Sequence, residues 1–137
     1  MDNSQSQSEK RLLQEANSIA VVGLSPNKAR PSYTVGKYLL NQGYQIFPIN
    51  PKYSNILGIR SYASLKSLPQ DIVVDIVNIF RHPTDVYPIV QEAVEIGAKS
   101  IWMQEGIFHQ DSKELAKHHG LDVISDRCIM KSHKSWF

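Results

Sequence analysis

Five residues near the start of the chain have types and a spacing that suit the binding of an anion. In the stretch IAVVGLSPNKARPSYTVGKYLL, Gly23 follows an apolar run, and Ser25 and Ser32 offer hydroxyl donors on either side of Lys28 and Arg30. Ser32 lies where a helix is predicted to begin, and free backbone N–H groups and the helix dipole favour an anion there. We interpret the stretch as a phosphate-binding loop; the alternative is a capping serine beside a solvated basic loop.

This loop departs from the usual dinucleotide-binding fingerprint. In G-x-G-x-x-G a glycine stands at three positions, whereas Ser25 and Lys28 occupy the second and third of them here. Gly23 alone remains, and a glycine at this place suits a close approach of backbone to ligand. The pattern argues against NAD, but it does not argue against phosphate.

A second candidate position follows the next apolar run. An NAD-binding unit usually places an acidic residue there to hold the ribose hydroxyls, whereas this chain has Asn50, Pro51 and Lys52. A lysine suits an additional phosphate on the ribose, as in NADP or in coenzyme A with its 3′-phosphate. Lys52 does not separate these two cofactors, and a surface lysine after a turn is the alternative.

The segments NIFRHP and WMQEG supply further candidates. Phe80 offers an apolar or stacking surface and Arg81 another anion partner, while His82 is interpreted as a loop residue. In the later segment, Gln104 supplies an amide and Gly106 a glycine at the end of a predicted strand. Glu105 between them has a plausible position for acid–base chemistry, but no partner is evident in the sequence. Trp102 is assigned to the core.

No activated nucleophile or metal site stands out. Cys128 is a single cysteine, and Arg127 or Lys131 would favour its thiolate, but we interpret it as a small half-buried residue. His118 and His119 lie on a predicted helix without a third ligand, so we interpret them as solvated and expect no metal.

The elements that must position these residues alternate along the chain. Five strands are predicted at Ile19–Val22, Gln45–Ile49, Ile72–Ile79, Ser100–Met103 and Asp122–Ile124. Helices are predicted at Lys10–Ala16, at Tyr33–Asn41, from a cap at Thr84 or Asp85 to about Ile96, and at Asp111–His119. This alternation predicts a doubly wound parallel sheet with helices on both faces, whose strand carboxyl ends form the ligand crevice.

Length and composition limit the class of protein. The chain has 137 residues, enough for a single domain but too few for separate cofactor and substrate domains, and about the first eight are expected to be disordered. Its net charge is +2 with scattered lysines and arginines, which favours a small acidic ligand over nucleic acid. The apolar runs are too short to span a membrane, and the start MDNSQSQSEK lacks the apolar region of a signal peptide, so we expect a cytoplasmic protein.

Taken together, these segments resemble the small stand-alone CoA-binding domain proteins, whose fold is similar to the N-terminal CoA-binding domain of the succinyl-CoA synthetase α subunit. The resemblance rests on VVGLSPNKARPSY, FPINPKYSNILGIRSYASL, VDIVNIFRHP, AKSIWMQEGI and DRCIMKSH, which occur in that order over nearly the whole chain. The second domain and phosphohistidine that the synthetase needs have no counterpart here, so catalysis does not carry over.

The resemblance implies three groups of residues that bind CoA. The pyrophosphate group comprises Gly23, Ser25, Lys28, Arg30 and Ser32. The group near the adenosine and its 3′-phosphate comprises Pro51 and Lys52. The group lining the adenine or pantetheine side comprises Asn78, Ile79, Phe80 and Arg81, followed at the pantetheine exit by Gln104, Glu105 and Gly106.

The leading hypothesis is therefore a single Rossmann-like domain with strand order 3-2-1-4-5 that binds CoA or an acyl-CoA without evident catalytic machinery. One alternative is an NADP-binding oxidoreductase-like domain, although the chain lacks a second surface to position a substrate against the nicotinamide. Another is a thiol-regulatory module in which CoA forms a mixed disulfide with Cys128. The identity of an acyl group, the protein partner and the oligomeric state do not follow from the sequence.

Overall fold

A five-stranded parallel sheet with helices on both faces forms the centre of the protein in a computed structural model that describes residues 3–137. The strands are β1 (Ser18–Val22), β2 (Gln45–Ile49), β3 (Asn55–Ile56), β4 (Ile59–Arg60), β5 (Ile76–Ile79), β6 (Ser100–Met103) and β7 (Asp122–Ile124). The helices are α1 (Asn3–Glu15), α2 (Pro31–Asn41), α3 (Pro83–Glu95), α4 (Gln110–His118) and α5 (Ile129–Trp136), with a 3-10 turn at Leu65–Ser67. The predicted α/β class and Rossmann-like architecture are confirmed.

Alternating side chains along the strands explain why helices cover both faces. All five residues of β1 are buried, as expected for a central parallel strand. Ala20 and Val22 pack in one core cluster with residues of α3 and α4, whereas Ile19 and Val21 pack in a second cluster with residues of α1, α2 and α5. The crossover helices α2 and α3 therefore lie on opposite faces of the sheet.

The predicted strand order is wrong in one respect. The sheet has the order β2-β1-β5-β6-β7, so the third of the five main strands pairs with the first rather than with the second. Within residues 3–137, the sheet continues outside β2 only as a single parallel bridge between Ile49 and Tyr62. A short extended piece thus takes the place that a full third strand would occupy in the order 3-2-1-4-5.

Helix α1 begins earlier than the sequence predicted. Residues 3–8 are helical, so the expectation of disorder is wrong for them, while the first two residues lie outside the described part of the chain. Glu9 is buried, and its carboxylate accepts a hydrogen bond from Ser132 Oγ at 2.7 Å and lies 3.5 Å from Nε of Arg127. These contacts join α1 to the C-terminal part of the chain. The polar sequence of α1 does not predict such long-range contacts.

Strand β5 is shorter than predicted because the residues before Ile76 are tied to β1 mainly through side chains. Asp75 accepts hydrogen bonds from the N–H groups of Asn17 at 2.7 Å and Ser18 at 3.1 Å, and Val73 is 60% exposed. Burial alone would raise the pKa of Asp75, but these two hydrogen bonds and a nearby lysine ammonium hold it below its usual value.

Helix α5 was not predicted. Its buried residues Ile129, Ser132 and His133 share one face at helical spacing. From the sequence, this segment was used only as part of the motif DRCIMKSH, and no helix was assigned to it. In the described residues, 3–137, no helix is long and apolar enough to cross a membrane.

Candidate functional site

The direction of strand addition reverses between β1 and β5, and such a switch point is where open α/β sheets bind ligands. The Gly23 N–H donates to the Ile49 carbonyl at 2.8 Å, and the Phe80 N–H donates to the Val22 carbonyl at 2.8 Å. These hydrogen bonds hold the carboxyl ends of β2, β1 and β5 side by side. The loops that leave these ends form the candidate crevice.

Gly23 is required by its neighbours within the protein. Its φ of +88° lies in the region that favours glycine, and a Cβ there would overlap the carbonyl oxygen of Phe80 and lie 3.0 Å from Cδ of Arg81. From the sequence, we expected the absence of a side chain at Gly23 to let a ligand approach the backbone. The structure instead uses that space for the loop after β5.

Side-chain oxygens organise the basic loop between β1 and α2. Ser32 Oγ accepts from the Ser25 N–H at 3.0 Å, Ser25 Oγ accepts from the Asn27 N–H at 3.0 Å, and Asn27 Oδ1 accepts from the Ala29 N–H at 2.9 Å. Both serine oxygens act as acceptors, so each hydroxyl hydrogen is free to donate in another direction. Helix α2 begins at Pro31, two residues before the predicted start.

Three exposed cations lie in this loop or in the loop that follows β2. Lys28 and Arg30 lie within it and Lys52 follows β2, and none of the three forms an ion pair with another residue of the range 3–137. Arg30 is the N-cap residue of α2, but its side chain makes no capping hydrogen bond. The helix dipole and these charges together produce a positive potential at this edge.

Asn50 joins the loops after β1 and β2 and was not predicted as a site residue. Its Nδ2 donates to the Leu24 carbonyl at 3.0 Å, and its Oδ1 accepts from the Lys52 N–H at 3.0 Å. Leu24 is itself buried against Gly36 of α2, where a Cβ would lie 2.7 Å from Leu24 Cδ1. The missing Cβ of Gly36 therefore lets α2 pack closely on Leu24. The polar residue directly before Pro51 was the sequence signal for Asn50.

Two clefts open at the carboxyl edge. The first, which we call the α3 cleft, has a volume of about 320 Å³. Its lining residues are Val22, Gly23, Ile49, Pro51, Ala63, Ser64, Leu65, Arg81, Thr84, Asp85, Pro88, Ile89 and Glu92. It brings together three of the predicted site residues, two of which follow strands β1 and β2.

The second, which we call the Phe80 cleft, has a volume of about 480 Å³. Its lining residues are Pro31, Phe80, Arg81, His82, Pro83, Gln104, Glu105 and Ile107. Arg81 lines both clefts, and its guanidinium lies 3.9 Å from the carboxylate of Asp85. The first residue of α2 lines this cleft as well, so the cleft begins next to the basic loop.

Two predicted site residues, Asn78 and Ile79, have fully buried side chains and line neither cleft. Asn78 Nδ2 lies 3.3 Å from Oε1 of Gln104, and the same oxygen accepts from the Ile129 N–H at 3.3 Å. Asn78 and α5 thus hold Gln104 in place from behind. Trp102 is fully buried, which confirms its assignment to the core.

Glu105 and Gly106 are already engaged. The Glu105 carboxylate lies 3.1 Å from the Lys131 ammonium, so it does have a partner, contrary to the sequence analysis. The Gly106 N–H donates to Asp126 Oδ1 at 2.7 Å. This bond restrains the loop after β6 through the loop after β7.

The remaining candidates have structural roles. His82 Nδ1 accepts from the Thr84 N–H at 3.3 Å and caps α3, where Thr84 or Asp85 had been predicted as the cap. Cys128 is 8% exposed and precedes α5. No cluster of three or more histidine, cysteine or acidic side chains suited to a metal occurs within the described range.

The fold and the basic loop at its switch point define a Rossmann-like α/β protein with a crevice suited to an anionic ligand. The family described as the CoA binding domain matches residues 17–134. The chain therefore belongs to the CoA-binding domain family, as the motifs predicted.

Individual relatives agree with this assignment. An uncharacterized protein of Bacillus subtilis (strain 168), YneT, is 37% identical over 124 residues, which cover 90% of each chain. An ADP-forming acetate–CoA ligase of Methanocaldococcus jannaschii is 30% identical over 129 residues, which cover 85% of this chain but 18% of the ligase. The solved structure of a hypothetical protein from Pyrococcus horikoshii OT3 is 32% identical, with a TM-score of 0.91 and coverage of 96% and 91%.

Proposed function

We propose that this protein binds coenzyme A or an acyl-CoA, with the pyrophosphate on the loop from Gly23 to Ser32. The observation that carries the proposal is the group of free donors around that loop. Lys28, Arg30 and Lys52 are exposed without ion pairs among residues 3–137, and the two loop serines keep their hydroxyl hydrogens available. Cationic and hydroxyl donors of this kind bind a diphosphate through charge-assisted hydrogen bonds.

The two clefts support separate assignments for the remaining parts of CoA. Pro51 lines the α3 cleft and Lys52 follows it in sequence, so we assign the adenosine to this side and its 3′-phosphate to Lys52. The pantetheine would then extend past Arg81 into the Phe80 cleft, toward Gln104. Membership of the CoA-binding domain family supports this assignment over other phosphorylated ligands.

Neither alternative from the sequence gains support. An NADP-binding domain would need a second surface for its substrate, and a mixed disulfide would need Cys128 to be accessible, whereas this thiol is 8% exposed. The relatives with a printed activity are ADP-forming ligases of which this chain matches a small part, so their reaction does not enter the proposal. A cytoplasmic location stays a prediction.

Isothermal titration calorimetry with CoA, dephospho-CoA and NADPH tests the proposal. We expect CoA to bind most tightly, and replacement of both Lys28 and Arg30 by alanine to weaken CoA binding at least tenfold, about 1.4 kcal/mol, because two phosphate partners are lost. Lys37→Ala is the control, since Lys37 is an exposed lysine within helix α2, outside the loop that carries Lys28 and Arg30.

The wild-type protein must also distinguish CoA from dephospho-CoA, and Lys52→Ala must reduce that difference. Absence of CoA binding at tens of micromolar contradicts the proposed function. Tight binding of NADPH without CoA would favour the oxidoreductase-like alternative instead.

A further inference from the structure

We infer that the Phe80 cleft receives the acyl end of an acyl-CoA and selects uncharged, short to medium aliphatic acyl groups. This inference rests on the proposed function and extends it to a class of ligand. It is carried by three features of the cleft, which are its apolar lining, one oriented amide donor and the engagement of its charged residues.

The exposed surface of the cleft is largely apolar, and four of its eight lining residues are apolar. Pro31 and Pro83 open α2 and α3, and the half-buried side chains of Phe80 and Ile107 pack against the two core clusters on opposite faces of the sheet. Their remaining surfaces line a space of about 480 Å³, which is within the ordinary range for small-molecule sites. Such a surface stabilises methylene groups by removing them from water.

Gln104 supplies the polar group. Its Oε1 receives two hydrogen bonds, from Asn78 Nδ2 and from the Ile129 N–H, and because both partners are donors the orientation of the amide is fixed. Both side-chain hydrogen bonds that Gln104 makes within residues 3–137 use Oε1, which leaves the Nε2 donors for a ligand, and Gln104 lines the cleft. We therefore assign Nε2 as the donor to the thioester carbonyl, which free CoA lacks.

The charged residues of the cleft are already engaged. The Arg81 guanidinium is directed toward Asp85, which lines the α3 cleft, and Glu105 pairs with Lys131 at 3.1 Å. His82 uses Nδ1 to cap α3. Among the residues that line the cleft, a carboxylated acyl group would therefore lose hydration without gaining an arginine or lysine that is free of an ion pair.

The test compares affinities for CoA, acetyl-, butyryl-, hexanoyl- and succinyl-CoA by calorimetry. We expect binding to tighten about two- to fourfold per added methylene from acetyl to hexanoyl, and succinyl-CoA to bind at least fivefold more weakly than butyryl-CoA. In Ile107→Ala and Gln104→Glu the ratio of the CoA Kd to the hexanoyl-CoA Kd should fall severalfold. Gln104→Glu keeps an acceptor for Ile129 but removes the donor.

Ile72→Ala is the matched control, because Ile72 is also half-buried but precedes β5 at the opposite edge of the sheet. Its hexanoyl preference should equal that of the wild type. Equal affinities for CoA and all acyl-CoAs, or preference for succinyl-CoA, would overturn the inference while leaving CoA binding intact. Failure of every ligand to bind would instead contradict the proposed function on which it rests.

Discussion

At the scale of single residues, the same side chain often serves the fold and the crevice together. Asn50 connects the loops after β1 and β2, and Gln104 is held by Asn78 and by the start of α5. Gly23 also serves both, since its missing Cβ makes room for the loop after β5 and it lines the α3 cleft. A change at such a position should therefore be visible in stability before any ligand is added.

Gly23→Ala should lower the free energy of unfolding by about 3 kcal/mol or more. The left-handed backbone costs an alanine about 1–2 kcal/mol, and a clash with the Phe80 carbonyl adds a similar amount because backbone cannot move aside cheaply. Urea unfolding with an unchanged m-value measures the loss.

Gly120→Ala provides the control for the backbone contribution. Gly120 has a φ of +82°, and a Cβ there meets nothing within 4 Å, so only the conformational cost of about 1–2 kcal/mol is expected. If both variants lost the same stability, the contact between Gly23 and Phe80 would not be significant.

At the scale of elements, the docking of α5 depends on an aromatic cluster centred on the buried side chains of His133 and Tyr44. His133 Nδ1 lies 2.7 Å from the Tyr38 hydroxyl, and its ring packs edge-on against Tyr38 and Tyr44 and tilted against Phe137. Burial lowers the pKa of His133 and raises the pKa values of both tyrosines, so the neutral forms are favoured. The Lys134 ammonium lies over the Tyr38 ring, 5.2 Å from its centroid.

This arrangement predicts a loss of stability in mild acid. The pKa of His133 is lower in the folded state than its ordinary value of about 6.5, so its contribution is complete above that pH and declines as pH falls through the folded pKa. We expect His133→Gln to reduce the difference in unfolding free energy between about pH 7.5 and pH 5.5 by up to roughly 1 kcal/mol.

The exposed histidine His118 supplies the comparison, because His118→Gln on α4 should retain the pH dependence of the wild type. If His133→Gln left the pH dependence of the unfolding free energy unchanged, the docking of α5 would not depend on the protonation of His133. Asp75 acts in a separate range, because its lowered pKa places its loss of stabilisation below about pH 4.

At the scale of the whole molecule, the two helical layers keep the crevice open before a ligand arrives. Helix α2 covers one face of the sheet and α3 the other, and their first residues border the Phe80 cleft from both sides. A ligand held by both helices should stabilise the folded state as a unit. The cations that would hold it are exposed, so the effect should depend on salt.

Thermal unfolding monitored by circular dichroism should therefore respond to CoA. At a free CoA concentration about one hundredfold above Kd, the expected stabilisation is about 2.7 kcal/mol, which corresponds to a rise in Tm of roughly 8–10 °C for a chain of this size. Raising sodium chloride at the same CoA concentration should shrink the rise. If CoA left the Tm unchanged at every salt concentration, the result would be inconsistent with the proposed site.

Much of the molecule was predictable because its signals are local. The apolar runs of β1, β2 and β6 and the capping glycines of the helices specify elements through periodicity and turn chemistry, and the ordered motifs specify the family. The basic residues after β1 were also visible, since their position follows directly from the end of a strand. Their assignment to a phosphate stays a prediction that the titrations address.

The tertiary structure decided what depends on residues distant in sequence. It placed β5 beside β1 instead of β2, extended α1 through the contact of Glu9 with Ser132, and gave the space beside Gly23 to the loop after β5. It also buried Asn78 and fixed the Gln104 amide through hydrogen bonds from Asn78 and Ile129. None of this is encoded in a local pattern, because strand pairing and the orientation of a buried amide are set by partners that only packing brings together.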